Sequence, residues 1–262
     1  EVFGFIILRN LLTSEEIAAA RKEHDEGLER ARATTQSRGI RKQFNWTNLG
    51  PESPFLGSLL EDVRFLSRAE QLLDGEVIGQ YANSNVFSSD RTEWHPDTRD
   101  LSRRGLKFAF YLEPIDQQTG ALRFIPGSHK APFHTDIGKI SLKESNNGVI
   151  DPNGFEIDEM PSFIAKSEPG DVVAFDGRVW HASWGGRTNR RMCSVGYFAA
   201  PTSTEEEDCV RRIAEGEVGL VEAFPLIRRP DYWITNADEN PIRTKWITQL
   251  RIFGFLGVFV IY

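Results

Sequence analysis

The first 75 residues set apolar positions at two different periods. Phe3 to Leu8 is a short apolar, β-branched run and predicts a strand. Ile17, Ala20, His24, Leu28 and Ala31 then recur at spacings of three and four, which is one face of a helix. Thr13 with Glu16 three residues on forms a capping box that opens that helix. His24 lies on its apolar face and reads as a half-buried structural histidine. Residues 34–54 are rich in Thr, Ser, Asn, Gly and Pro and read as a loop, with Phe44 and Trp46 anchoring it or lining a cleft. Phe55 to Leu73 keeps a helical period, and Asp74-Gly75 ends it.

After Gly75 the texture changes. Short β-rich runs alternate with turn residues almost to residue 200: Val77 to Phe87, Leu106 to Leu112, Ala121 to Ile125, Phe163 to Lys166, Asp171 to Phe175 and Arg191 to Phe198. Such spacing predicts an antiparallel barrel or sandwich rather than alternating strands and helices. Residues 131–161 carry few signals and read as an insertion between strands, with His134 solvated. Glu205-Glu206-Glu207-Asp208 heads a helix expected to reach about Glu215, since acidic groups favour a helix N-terminus. Ile252 to Tyr262 is apolar, aromatic and β-branched, and reads as a buried strand that completes the core or pairs with a second copy in a homodimer. The expected organisation is one domain over residues 1–262. It has N-terminal helices at about 13–73, a β core at about 77–200 interrupted by the insertion, and a C-terminal helix and apolar tail at about 203–262.

Composition narrows the function. Thirty-one Lys and Arg against 38 Asp and Glu give a net charge of −7, a poor basis for general nucleic-acid binding. Two cysteines, Cys193 and Cys209, make neither a disulfide scaffold nor a CxxC zinc site and suit a cytoplasmic setting. No apolar run reaches the ~18 residues of a membrane span. The chain starts mid-pattern without Met or a signal-peptide pattern, as after removal of a few residues. No GxGxxG or Walker sequence supports a nucleotide-phosphate cradle.

The chemistry concentrates in His95-Pro96-Asp97 and His181. Residues two apart in an extended chain point to one side, so His95 and Asp97 can face one ion. An HxD alone occurs often by chance. His181 adds weight, because it lies just past the strand-like Gly170-Asp171-Val172-Val173-Ala174-Phe175. Two imidazoles and one carboxylate with open positions form the facial triad of non-haem Fe(II) oxygenases, although zinc or manganese can use the same ligands. Ten residues past His181, Arg191 opens a strand and is the first candidate to pair with the distal carboxylate of a keto acid. Arg187 and Arg190 are its neighbours, and a surface cluster on a turn is the plain alternative. Asn83 and Asn85 share a strand face, suited to a cosubstrate hydrogen bond or to sheet-edge polarity. Trp94 and Trp184 flank the two metal segments as core or rim residues. Arg103 and Arg104 read as a solvated loop, with a positive mouth for an anionic substrate as the sharper alternative.

Taken together, these segments resemble the phytanoyl-CoA dioxygenase family of Fe(II)- and 2-oxoglutarate-dependent oxygenases, from the opening FGFIILRNLLTSEEI to Tyr197. Trp94-His95-Pro96-Asp97 looks like its HxD. Thr119-Gly120-Ala121-Leu122-Arg123-Phe124-Ile125-Pro126-Gly127-Ser128-His129 looks like its strand-and-turn signature, in which His129 is structural. Gly170 to Phe175 through His181-Ala182-Ser183 looks like its distal-histidine segment. The resemblance implies a mainly β fold with flanking α-helices, a double-stranded β-helix or jelly roll of the cupin-like kind. It implies that His95, Asp97 and His181 bind iron and that Arg191 pairs with 2-oxoglutarate. Ser183 and Lys107 are implied as further cosubstrate contacts, beside Asn83 from its strand face; Lys107 is less usual there than a small polar residue and can instead reach an anionic group on the substrate.

The implied reaction uses dioxygen on a small-molecule substrate and releases succinate and carbon dioxide. An intact Asp97 favours hydroxylation over halogenation, while desaturation and cyclisation can use the same triad. The rival readings are a cupin-like metalloprotein that uses another metal without 2-oxoglutarate, and a non-catalytic jelly-roll binding module.

Overall fold

A computed structural model describes residues 2–35, 43–87, 91–144, 160–185, 190–223 and 225–256. The strands among the described residues are β1 (Phe5–Leu8), β2 (Gln43–Thr47), β3 (Val77–Phe87), β4 (Arg91–His95), β5 (Gly105–Tyr111), β6 (Leu122–Phe124), β7 (Phe163–Ile164), β8 (Val172–Asp176), β9 (His181–Trp184) and β10 (Arg190–Ala199). The α-helices among them are α1 (Ser14–Thr35), α2 (Pro54–Ser58), α3 (Val63–Leu73), α4 (Phe133–Glu144), α5 (Thr204–Ala223), α6 (Asp231–Thr235) and α7 (Pro241–Ile252). The strands form two antiparallel sheets, ordered β1-β8-β5-β10-β3-β2 and β4-β9-β6-β7. This is the expected jelly roll; α1, α3 and α7 pack on the larger sheet, while α4 lies against Trp180 beside the smaller one.

The six-stranded sheet has two unlike faces, because alternate side chains point opposite ways. Phe108 and Phe110 of β5, Val172 and Ala174 of β8, and Cys193 and Val195 of β10 join the helices in one core. Ala109, Tyr111, Val173, Phe175 and Met192 point the other way, towards the smaller sheet, and meet Leu122 and Phe124 of β6. Buried hydrogen bonds tie the helices down. The Tyr197 hydroxyl donates to Leu60 O at 2.7 Å, and Trp246 Nε1 donates to Val77 O at 2.8 Å.

Local chemistry sets the ends of the elements. Thr13 N donates to Glu16 Oε2 and Glu16 N donates to Thr13 Oγ1, which is the expected capping box at the start of α1. Asp62 caps α3 by accepting from Arg64 N, and Asp74 closes it in the left-handed region at φ 52°. Residues 55–73 are thus two helices rather than one. The break falls between Ser58 and Val63; within α2, Gly57 lets the chain approach Asn48 O, which a Cβ there would meet at 2.6 Å.

Other expectations change as well. Within residues 34–54 the chain forms β2, whose Gln-Phe-Asn-Trp-Thr alternation pairs with β3, and α2 begins at Pro54. Phe44 and Trp46 pack with Leu28, Ala31 and Val86, so they line no cleft. The insertion carries α4, and residues 145–159 lie outside the described residues. His134 is buried rather than solvated, with Nδ1 3.0 Å from Ser128 O. α5 continues past Glu215 to Ala223. Ile252 ends α7 instead of opening a strand, because Trp246, Ile247 and Leu250 bury a helical face that carries it along. The tail from residue 257 lies outside the described residues. Among the described residues, no helix is long and apolar enough to cross a membrane.

His24 is fully buried, edge-on to Trp46, with Nε2 3.2 Å from Asn85 O. Burial above all pulls its pKa down to about 4, so the folded protein holds it neutral. The unfolded chain takes up a proton near pH 6.5 that the folded chain rejects. This contribution to stability is therefore intact above pH 6.5 and shrinks as pH falls towards 4, by up to about 3 kcal/mol. Urea denaturation of wild type and His24→Gln at pH 7.5 and 4.5 should show a smaller loss in the variant. Equal losses would remove His24 as the cause.

Candidate metal centre and its cleft

His95 ends β4 and His181 opens β9, and the sheet register sets them directly opposite each other. Their ring centroids are 4.4 Å apart. Asp97 follows two residues after His95 and brings Oδ1 to 3.7 Å from His181 Nε2. One ligand atom from each of His95, Asp97 and His181 falls within 4.8 Å of the others. Both imidazoles are oriented from behind. His95 Nδ1 lies 2.7 Å from Glu93 O, and His181 Nδ1 lies 2.9 Å from Val179 O. A carbonyl can only accept, so each Nδ1 carries the hydrogen and each Nε2 keeps its lone pair free for a metal.

Electrostatics favours the same use. Burial dominates at His181 and lowers its pKa to about 3, which leaves a neutral imidazole, the form that binds metals. At Asp97 burial pushes the pKa up, but Lys107, His181 and His95 together outweigh it and hold the carboxyl at about 2. Lys107 Nζ stands 3.5 Å from Asp97 Oδ2. Burial opposes the lysine's charge, yet Asp97 outweighs it and the Lys107 pKa rises. Two imidazoles and one carboxylate, without sulfur, suit a divalent iron with open positions.

The triad opens on a cleft of about 810 Å³. Its walls include Tyr81, Asn83 and Asn85 from β3, Lys107 from β5, Met192 and Ser194 from β10, and Asn45 and Thr47 from β2. Across the sheet, Asn83 sits opposite both Thr47 and Ser194, and Asn85 opposite Asn45 and Met192. Among the described residues, the buried Oδ1 atoms of Asn83 and Asn85 meet no hydrogen-bond donor. α5 contributes Arg212, Ile213, Gly216 and Glu217 at helical spacing and covers part of the cleft. Ser183 is buried two residues after His181 on the same face of β9. Trp94 and Trp184 meet each other at 5.7 Å and cluster with Trp180 and Ala182 on the opposite face, so they are structural.

Arg191 lies on the face of β10 turned away from the cleft. Its guanidinium pairs with Glu113 and, at 2.7 Å, with Asp25 of α1. It shares a face with Cys193 and Val195, which pack on the helices. Arg190 has the opposite phase, that of Met192 and Ser194 on the cleft side. Arg190 is buried and donates to Gly120 O. A Cβ at residue 120 would collide with that guanidinium, and Gly120 also adopts φ 91°, so glycine is required twice over. The signal that separates the two arginines was present: Cys193, Val195 and Tyr197 mark the face that packs on helices. Arg187 lies outside the described residues. The α5 residues and Arg229 carried no motif to reveal them.

A jelly roll with two histidines and one aspartate at its open end defines a class of metal-binding oxygenase scaffolds. The family model for phytanoyl-CoA dioxygenase (PhyH) matches residues 1–193, and the chain belongs to that family. An ectoine dioxygenase of Bordetella parapertussis is 30% identical over 207 residues, which covers 69% of this chain and 66% of that protein, just under two thirds. Among solved structures, HygX from Streptomyces hygroscopicus with nickel, 2-oxoglutarate and hygromycin B bound superposes with a TM-score of 0.59 at 21% identity, over 76% of this chain and 84% of that one. EctD from S. alaskensis with bound Fe gives 0.54 at 21% identity, over 75% and 73%. These two structural likenesses speak for the fold.

Removal of one ligand leaves too few donors to hold a divalent ion at an open site. His181→Ala and Asp97→Ala should each weaken Co(II) or Fe(II) binding by on the order of 100-fold or more. Metal titration followed by visible absorption or calorimetry checks this. Wild-type affinity in either variant would exclude that residue as a ligand.

Proposed function

We propose that this protein is a Fe(II)- and 2-oxoglutarate-dependent dioxygenase that hydroxylates a small-molecule substrate in the cytoplasm. The observation that carries the reading is the triad itself, with both Nε2 atoms freed by backbone carbonyls and one ligand atom from each residue within 4.8 Å of the others. Membership of the phytanoyl-CoA dioxygenase family supports it.

His95, Asp97 and His181 would hold the metal. Iron, dioxygen and 2-oxoglutarate together supply an oxidant strong enough for an unactivated C–H bond, with succinate and carbon dioxide as by-products. The protein's own contribution is position and charge. Arg190 reaches the cleft side of β10 from a buried position, and its fork suits the distal carboxylate of 2-oxoglutarate. Ser183 and Asn83 are further contacts for that cosubstrate, and the Oδ1 of Asn83, which meets no donor among the described residues, calls for a donor or an ordered water. Lys107 keeps Asp97 ionised and ready to bind the metal. The buried faces of Phe124 and Phe175 lie 6.1 and 4.9 Å from the His181 ring and exclude water behind it.

Anaerobic addition of Fe(II) and then 2-oxoglutarate should produce the visible charge-transfer band of the chelate, lost in His181→Ala. Arg190→Ala should weaken 2-oxoglutarate on the order of ten-fold or more while keeping metal affinity. Arg191→Ala should keep 2-oxoglutarate affinity and lose only stability. Folded, metal-loaded wild type without the band would favour a jelly-roll metalloprotein that does not use 2-oxoglutarate.

A further inference from the structure

The charge inside the cleft has the opposite sign to that of the whole chain. Among the described residues, four cationic side chains line it, Arg103, Lys107, Arg212 and Arg229, against three carboxylates, Asp97, Asp100 and Glu217. Each carboxylate is already matched. Lys107 faces Asp97 at 3.5 Å, Arg212 faces Asp100 at 3.5 Å, and Arg229 faces Glu217 at 2.5 Å. Among the described residues, Arg103 has neither a hydrogen bond from its guanidinium nor an ion pair. Its neighbour Arg104 turns away to Leu73 O and towards Glu206 at 3.7 Å.

The position of Arg103 is fixed rather than incidental. The loop after Asp97 is held by Thr98 N to Gly177 O at 3.1 Å and by Arg103 N to Asp100 O at 3.1 Å. This places the Arg103 side chain at the cleft wall beside the metal triad, next to Ile213 of α5. It lies close enough to Asp97 and to the Tyr81 hydroxyl to act on both electrostatically. An arginine facing a pocket without an acceptor is a vacant fork for a planar anion.

We propose that Arg103 binds a carboxylate of the primary substrate and thereby selects small carboxylic acids for this site. The class follows from the balance of charge. A single unmatched guanidinium fits the one negative charge and two coplanar oxygens of a carboxylate, whereas a phosphate dianion would call for more than one spare cation. The amide and hydroxyl row of Asn45, Thr47, Asn83 and Ser194 offers hydrogen bonds to the remainder of such a molecule. The assignment deepens the oxygenase reading and rests on it for the reaction, but not for the binding.

The test uses the full chain loaded with Ni(II) and saturating 2-oxoglutarate, so that added acids do not enter the cosubstrate position. A panel of small carboxylic acids, each paired with its primary amide, is titrated by calorimetry into wild type, Arg103→Met and Arg103→Lys. Wild type should bind its best acids on the order of ten-fold or more tighter than their amides. Arg103→Met should abolish that difference while taking up 2-oxoglutarate as wild type does, and Arg103→Lys should restore part of it. Acids and amides that bind wild type alike across the panel would overturn the assignment, as would an acid preference retained in Arg103→Met. The wild-type comparison stands even where a variant fails to fold. If wild type takes up no 2-oxoglutarate, the oxygenase reading fails, and the same panel on Ni(II) protein alone still decides the role of Arg103.

Discussion

The structure depends on one constraint: each strand of the larger sheet has two faces that cannot be exchanged. One face is packed against helices and the other borders the cleft, and the side-chain period of two assigns every residue to one of them. A slip of a single residue in β10 would carry Arg191 to the cleft and Cys193 and Val195 with it. It would also force Arg190 into the apolar layer with the helices. The charged residues of the site are therefore positioned by the burial of their apolar neighbours. The same logic sets His181, since Ala182 must point into its own cluster for His181 and Ser183 to face the metal centre.

The metal triad needs a second device, because strand phase alone does not orient an imidazole. Two backbone carbonyls, Glu93 O and Val179 O, select the tautomer of each histidine. Both carbonyls belong to residues two before the histidine they hold, so the orientation is encoded within three consecutive residues on each side. The cross-strand pairing of His95 with His181 then joins the two halves. Lys107 acts at longer range on Asp97, from a different sheet, and links the metal centre to the cleft wall.

Much of this was legible in the sequence. The triad, the capping box and most strands follow from local spacing, and local spacing survives folding when burial supports it. What was misread has a common cause. Gln43 to Thr47 alternates as a strand should, but its polar composition hid the pattern among turn residues. Ile252 looked β-like and was claimed by a helix whose buried residues precede it. Arg190 and Arg191 are adjacent and chemically identical; the apolar phase of Cys193, Val195 and Tyr197 assigns them to opposite faces, and their partners across space are Gly120 for one and Asp25 with Glu113 for the other. The covering residues of α5 belong to a part of the chain without any motif, and only tertiary contact brings them over the cleft.

The family match ends at residue 193, whereas α5 spans Thr204–Ala223. The reactive end of the cleft and part of its cover thus come from separate stretches of chain. Substitutions at Ile213, Gly216 or Glu217 would reshape the cleft without touching the strand pairing that sets His95 opposite His181. The shape of the space is thus separable from the arrangement of the triad that borders it, as a lampshade is from the lamp.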